Sequence, residues 1–184
     1  FLVLRCQLSR YNCNSMTIVL PSDTYATPAK KILIFGASGM LGHMLIRVLS
    51  PNHHVIGTTT SQYNVQSPLA RILSKDNLID LVDVHNLSTV EIAIRDTKPD
   101  VIINCVGLIK QKMGTTNSVE AIQLNSLFPH QLAEICLESN IRMIHFSTDC
   151  VFQGIPGIKR VSDTPNATDL YGLSKLLGEV NTPS

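Results

Sequence analysis

Tyr171 and Lys175 stand four residues apart in the run Tyr171-Gly172-Leu173-Ser174-Lys175. On a helix that spacing places both on one face, one turn from each other. The ammonium there favours ionisation of a phenol whose ordinary pKa is about 10. A phenol tuned in that way trades a proton with a carbonyl or alcohol near neutral pH. Upstream lies Gly36-Ala37-Ser38-Gly39-Met40-Leu41-Gly42, a Gly-x-x-Gly-x-x-Gly loop that offers a seat for a dinucleotide. Together the two motifs predict hydride transfer to or from a sugar or other alcohol.

Each motif has a plainer reading. Many helices carry Tyr-x-x-x-Lys by chance, and a glycine loop also serves as a simple strand–turn–helix corner. A third group tips the balance. Ser147-Thr148-Asp149 follows a predicted strand, at the sheet edge where ligands bind in doubly wound folds. A hydroxyl there would bond the substrate oxygen that Tyr171 protonates, while Lys175 would hold the nicotinamide ribose and stabilise a tyrosinate.

The elements that must position these residues alternate along the chain. Short apolar runs predict strands at Lys31–Phe35, His54–Thr58, Ile79–Val84, Asp100–Gly107 and Arg142–Ser147. Helical spacing predicts helices from Met40 to Leu49, around Leu69 to Leu73, from Leu87 to Thr97, from Asn117 to Ser139 and from Leu170 to Val180. Pro129 should kink the long fourth helix or break one of its hydrogen bonds. This order implies an α/β, Rossmann-like, doubly wound parallel sheet in a single domain. Residues 1–29 are expected to form a disordered N-terminal extension, with the dinucleotide-binding domain at 30–184.

Within that fold the cofactor cradle is predicted at the strand ends. Gly36, Ser38, Gly39, Met40 and Leu41 would meet the pyrophosphate. Thr58, Asp83, Val84, Cys105, Val106 and Gly107 would line the rest, with Tyr171 and Lys175 at the nicotinamide. No Asp or Glu occurs between Gly42 and Asp76, and the second strand runs into Thr58-Thr59-Thr60-Ser61. Without a carboxylate to repel a 2′-phosphate, the cofactor reads as NADP(H) in preference to NAD(H). Asp83 would accept from the adenine amino group, or else cap the segment that begins at Leu87.

Bulk properties set the frame. Apolar residues make up 44% and charged residues 16% of 184, with a net charge of +1, which is ordinary for a globular chain. No basic stripe recommends nucleic acid as a partner. No apolar stretch reaches membrane-spanning length. The five cysteines form no Cys-x-x-Cys pair, so no metal site is expected and a reducing cytoplasm fits. Cys105 and Cys136 read as buried free thiols, and His145 as a satisfied core residue.

These blocks resemble the extended short-chain dehydrogenase/reductase superfamily and, more narrowly, the dTDP-4-dehydrorhamnose reductase family. The matching stretches are Ile34 to Gly42, Lys98 to Cys105, Ser147 to Phe152 and Tyr171 to Glu179, in the right order. The resemblance implies a catalytic triad of Thr148, Tyr171 and Lys175. It places Asn125 where the superfamily has an asparagine in a proton relay; satisfying backbone groups near Pro129 is the alternative. It further implies reduction of a 4-keto nucleotide sugar in dTDP-rhamnose and polysaccharide biosynthesis, with a homodimer compatible. Cys150 departs from the tyrosine these reductases often carry. Family members also continue into a C-terminal substrate lobe, so the chain reads as truncated and of little activity alone. Two alternatives remain: an epimerase or dehydratase of the same superfamily, and a non-catalytic regulatory subunit like the methionine adenosyltransferase β subunit.

Overall fold

The computed structural model describes residues 2–4, 28–109, 118–154, 159–160 and 162–180. Its strands are β1 (Leu2–Leu4), β2 (Lys31–Phe35), β3 (His54–Thr58), β4 (Leu78–Ile79), β5 (Val101–Asn104) and β6 (Arg142–Phe146). All pair in parallel, in the order β1-β6-β5-β2-β3-β4. The chain winds from β2 outward through β3 and β4, then returns to the other side of β2 for β5 and β6. The reversal makes β2 and β5 neighbours and opens a crevice beyond their C-terminal ends.

Alternation along the strands assigns the two faces. Leu33, Phe35, Ile56, Ile102 and Met143 face a core shared with α2 (Leu87–Thr97) and α4 (Phe128–Glu138). Ile32, Ile34, Val55 and Ile103 face the other way, toward Ile46 of α1 (Met40–Leu49) and toward Leu69 and Leu73. Phe35 and Phe128 meet edge to face, with ring centroids 6.1 Å apart.

Several elements depart from the sequence pattern for identifiable reasons. The segment around Leu69 is only a 3-10 turn, Pro68–Arg71, set by Ser67, whose hydroxyl accepts from Ala70 N. The third predicted strand is cut to Leu78–Ile79 because Leu81 is left-handed, with φ 57°. The predicted long helix is three pieces: α3 (Ser118–Ile122), a π-helical turn at Gln123–Leu127, and α4. Pro129 has no N–H to return to the Asn125 carbonyl, so the backbone widens by a residue before resuming. Asn117, the expected start of that helix, lies outside the described residues. In the stretch expected to be disordered, Leu2–Leu4 instead extends the sheet beside β6. A strand there satisfies backbone groups that an open edge would leave unpaired.

Candidate functional site

The glycine loop leaves β2 at Gly36, which adopts φ +81°. A β carbon on Gly36 would press on the Cys105 carbonyl and Val106 N at 3.1 Å, so glycine lets the loop cross the end of β5. The Ala37 amide donates to Thr58 O at 3.1 Å, tying the loop to β3. The third glycine serves a closer contact than strand packing, because a β carbon at Gly42 would overlap the Gly36 carbonyl. Gly39 caps α1 without any side-chain bond, and no acidic residue occupies the first turn. The first amides of a ten-residue helix are therefore offered to the crevice, with Ser38, Gly39, Met40 and Leu41 exposed around them. Free amides at a helix N-terminus carry partial positive charge, which suits an anion such as a diphosphate.

The other predicted cradle residues divide by accessibility. Val106 and Gly107 follow β5 beside Gly36, and Gly107 is exposed. Cys105 is half-buried, and burial pushes its thiol up to about 12; Cys136 is buried and pushed up to the same value. Thr58 is only 2% exposed and gives the loop its carbonyl, whereas Thr60 and Ser61 stand exposed just beyond it. Asp83 is exposed and Val84 half-buried. The Asp83 carboxylate accepts from His85 N at 3.0 Å in the turn before α2, whose N-cap is Asn86 rather than Asp83.

On the far side of the crevice, α5 (Leu170–Leu177) carries Tyr171 and Lys175. Asp169 caps it by accepting from Gly172 N at 2.8 Å. Two glycines let α5 lie against backbone on both sides. A β carbon at Gly172 would overlap the Cys150 carbonyl, and one at Gly178 the Asn125 carbonyl. The first contact brings Tyr171 to the turn Asp149–Val151, beside Thr148, whose hydroxyl acts on the phenol. The Thr148 hydroxyl also accepts from Cys150 N and donates to Asp149 Oδ1, each at 3.2 Å. Ser147 points the other way, into the interior, so Thr148 is the strand-end hydroxyl that faces Tyr171.

The electrostatics overturn one expectation. Lys175 does not pull the phenol down here. Its Nζ donates to the Phe146 carbonyl at 2.8 Å beneath the helix. Burial raises Tyr171 above its usual value, the neighbouring Thr148 hydroxyl opposes that, and Cys150, Asp149 and Asp169 raise it further. Lys175 is itself lowered to about 8 by burial, against the charge of Glu179.

Asn125 is wholly buried and serves as a brace. Its side chain accepts from Leu108 N at 2.7 Å and donates to Leu108 O at 3.1 Å. It also donates to the Ser174 hydroxyl at 3.1 Å. It thus joins the β5 loop to α5 at Ser174, next to Lys175 in sequence. Ser126 adds a second tie, donating to Ser174 O at 2.7 Å. Sequence reasoning missed Ser174, Ser126 and Glu179, although a carboxylate inside the apolar tail Leu176 to Val180 was a visible signal. His145 also corrects its reading as fully satisfied. Nδ1 meets Asn104 Nδ2 at 3.2 Å, but Nε2 is buried without a partner. Among the described residues no group of three His, Cys, Asp or Glu is placed to hold a metal, and no helix is long and apolar enough to cross a membrane.

Comparison with known proteins agrees with this layout. The family profile of the RmlD substrate binding domain matches residues 30–183. The methionine adenosyltransferase 2 subunit beta of Xenopus tropicalis is 32% identical over 158 residues, covering 85% of this chain and 44% of that protein. The crystal structure of a hypothetical dTDP-4-dehydrorhamnose reductase from Sulfolobus tokodaii superposes with TM-score 0.66 at 33% identity, over 81% of this chain and 50% of that one. The UDP-glucuronic acid 4-epimerase of Bacillus cereus, solved with NAD, superposes with TM-score 0.65 at 25% identity, over 81% and 50%. The chain spans about half the length of the curated relatives it matches.

Proposed function

The chain belongs to the RmlD substrate binding domain family, and on that premise we propose that it forms the cofactor-binding half of an NADP(H)-preferring reductase of a 4-keto nucleotide sugar, of the dTDP-4-dehydrorhamnose kind. The observation that carries the reading is the close packing of α5 on the turn that follows Thr148, which sets Tyr171 beside that hydroxyl and one turn from Lys175, across the crevice from the open N-terminus of α1.

Bound nicotinamide supplies the hydride. The chain's own residues do the rest. The α1 amides and the loop at Gly36–Leu41 hold the diphosphate. Lys175 holds the ribose hydroxyls next to it. Thr148 orients the substrate carbonyl. Tyr171 gives its proton to the oxygen as negative charge develops there. A phenol held above its ordinary pKa is protonated at neutral pH, which is the state a proton donor for reduction requires. The relatives run about twice this length, so turnover is assigned to a protein of their full extent and cofactor binding to the part described.

The test is Tyr171→Phe in a protein extended to the relatives' length. Oxidation of NADPH by a keto sugar nucleotide should fall roughly 10²–10⁴-fold, with NADPH binding unchanged. An undiminished rate would remove Tyr171 from this role. The epimerase similarity supports a second reading, in which the hydride returns to the sugar. Stoichiometric release of oxidised cofactor separates the two. The methionine adenosyltransferase subunit supports a third, non-catalytic reading, which predicts cofactor binding without turnover and co-purification with a larger enzyme.

A further inference from the structure

Glu179 sits where its own helix does not want it. It follows the last turn of α5, its amide donating to Leu176 O at 3.1 Å. A helix C-terminus carries partial negative charge and disfavours a carboxylate. Glu179 is also only 9% exposed, and burial adds a desolvation cost. Neither helix propensity nor solvation accounts for a carboxylate at this point.

Two adjacent residues at the end of β6 do account for it. The Ser147 hydroxyl donates to Glu179 Oε1 at 2.5 Å. The carbonyl of Phe146, one residue earlier, accepts from Lys175 Nζ at 2.8 Å. One strand end therefore grips both side chains, four residues apart on the same segment. We propose that Glu179 is a positioning residue whose carboxylate, anchored by Ser147, keeps the Lys175 ammonium charged and seated on the Phe146 carbonyl. This rests on the reading of Lys175 as the residue that meets the cofactor ribose and Tyr171.

The other groups around Lys175 cannot do this work. His145 on β6 is held neutral down to about 3, mainly by burial. His130 on α4 spends its Nε2 on the Leu177 carbonyl at 2.7 Å. Tyr171 faces Thr148, and Asp149, Cys150 and Asp169 act on that phenol. Among the described residues, Glu179 is the group whose charge supports the ammonium against burial.

The test follows the Lys175 Cε resonance through a pH titration of the lysine-labelled 184-residue chain, assigned by its loss in Lys175→Arg. The unmutated midpoint should lie near 8. In Glu179→Gln, which keeps shape and hydrogen bonding but removes charge, it should fall by about one unit or more. Glu179→Asp should recover part of that fall. An unchanged midpoint in a folded Glu179→Gln protein would overturn the proposal. Should that variant not fold, Ser147→Ala leaves the carboxylate unanchored; a lowered midpoint supports the proposal and an unchanged one overturns it. NADPH titration of the unmutated chain runs alongside. Failure to bind would remove the functional reading, while the Lys175 midpoint still decides this one.

Discussion

His145 shows how much a single side chain can load onto this fold. It is 1% exposed, and burial is the main reason its pKa drops from 6.5 to about 3. The unfolded chain therefore binds a proton at a higher pH than the folded one. The neutral imidazole contributes stability that is fully present above about 6.5 and is lost as pH falls toward 3. The whole window is worth on the order of 5 kcal/mol. His145→Gln keeps a hydrogen-bonding partner for Asn104 but cannot titrate. Urea unfolding at pH 7 and pH 4 should show the unmutated chain losing about 3 kcal/mol more than the variant over that interval. Equal losses would mean that His145 already titrates normally in the folded state.

At the scale of elements, the contact between α5 and the π-helical turn decides whether the site is assembled. Pro129 widens the turn, and Gly178 lets α5 approach the Asn125 carbonyl so closely that no β carbon fits between them. Gly178→Ala must push two backbones apart and should cost about 3 kcal/mol or more, read from urea unfolding. A cost under about 0.5 kcal/mol would show that α5 is free to shift. This contact was only half legible in the sequence. Pro129 announced a break, but not whether it would be a kink, a bulge or a π turn. The π turn that results packs against α5, about fifty residues later in the chain, a contact no local pattern shows. The bounds of α1 and α2, by contrast, could be read directly, because Pro51 and Pro99 stop them locally. The predicted strand at Ile79–Val84 failed for the same reason as the helix around Leu69. Both have apolar residues, but local backbone chemistry at Leu81 and at Ser67-Pro68 overrides them. At the site, the motif residues could be placed from spacing alone. The braces at Asn125, Ser126, Ser174 and Glu179 act across elements, and no local pattern reveals such partners.

At the scale of the molecule, winding in two directions from β2 creates the crevice, and the groups proposed to hold a dinucleotide lie on one edge of the sheet. The glycine loop, the β5 loop braced by Asn125, and α5 approach it from three directions. This half should therefore bind cofactor without the remainder of a full-length relative. Binding to the folded chain alone stabilises it by RT ln(1 + [L]/Kd), about 2.7 kcal/mol at a hundredfold excess over Kd. For a chain of this size that corresponds to a rise in Tm of roughly 5–10 °C. NADPH should produce the rise. NADH should produce a smaller one at equal concentration, because the end of β3 offers exposed Thr60 and Ser61 hydroxyls to a 2′-phosphate and no carboxylate to the free ribose. Equal shifts would abolish the preference for the phosphorylated cofactor. No shift with either would mean that the open amides of α1 do not hold a diphosphate, and the functional reading built on them would fall with it.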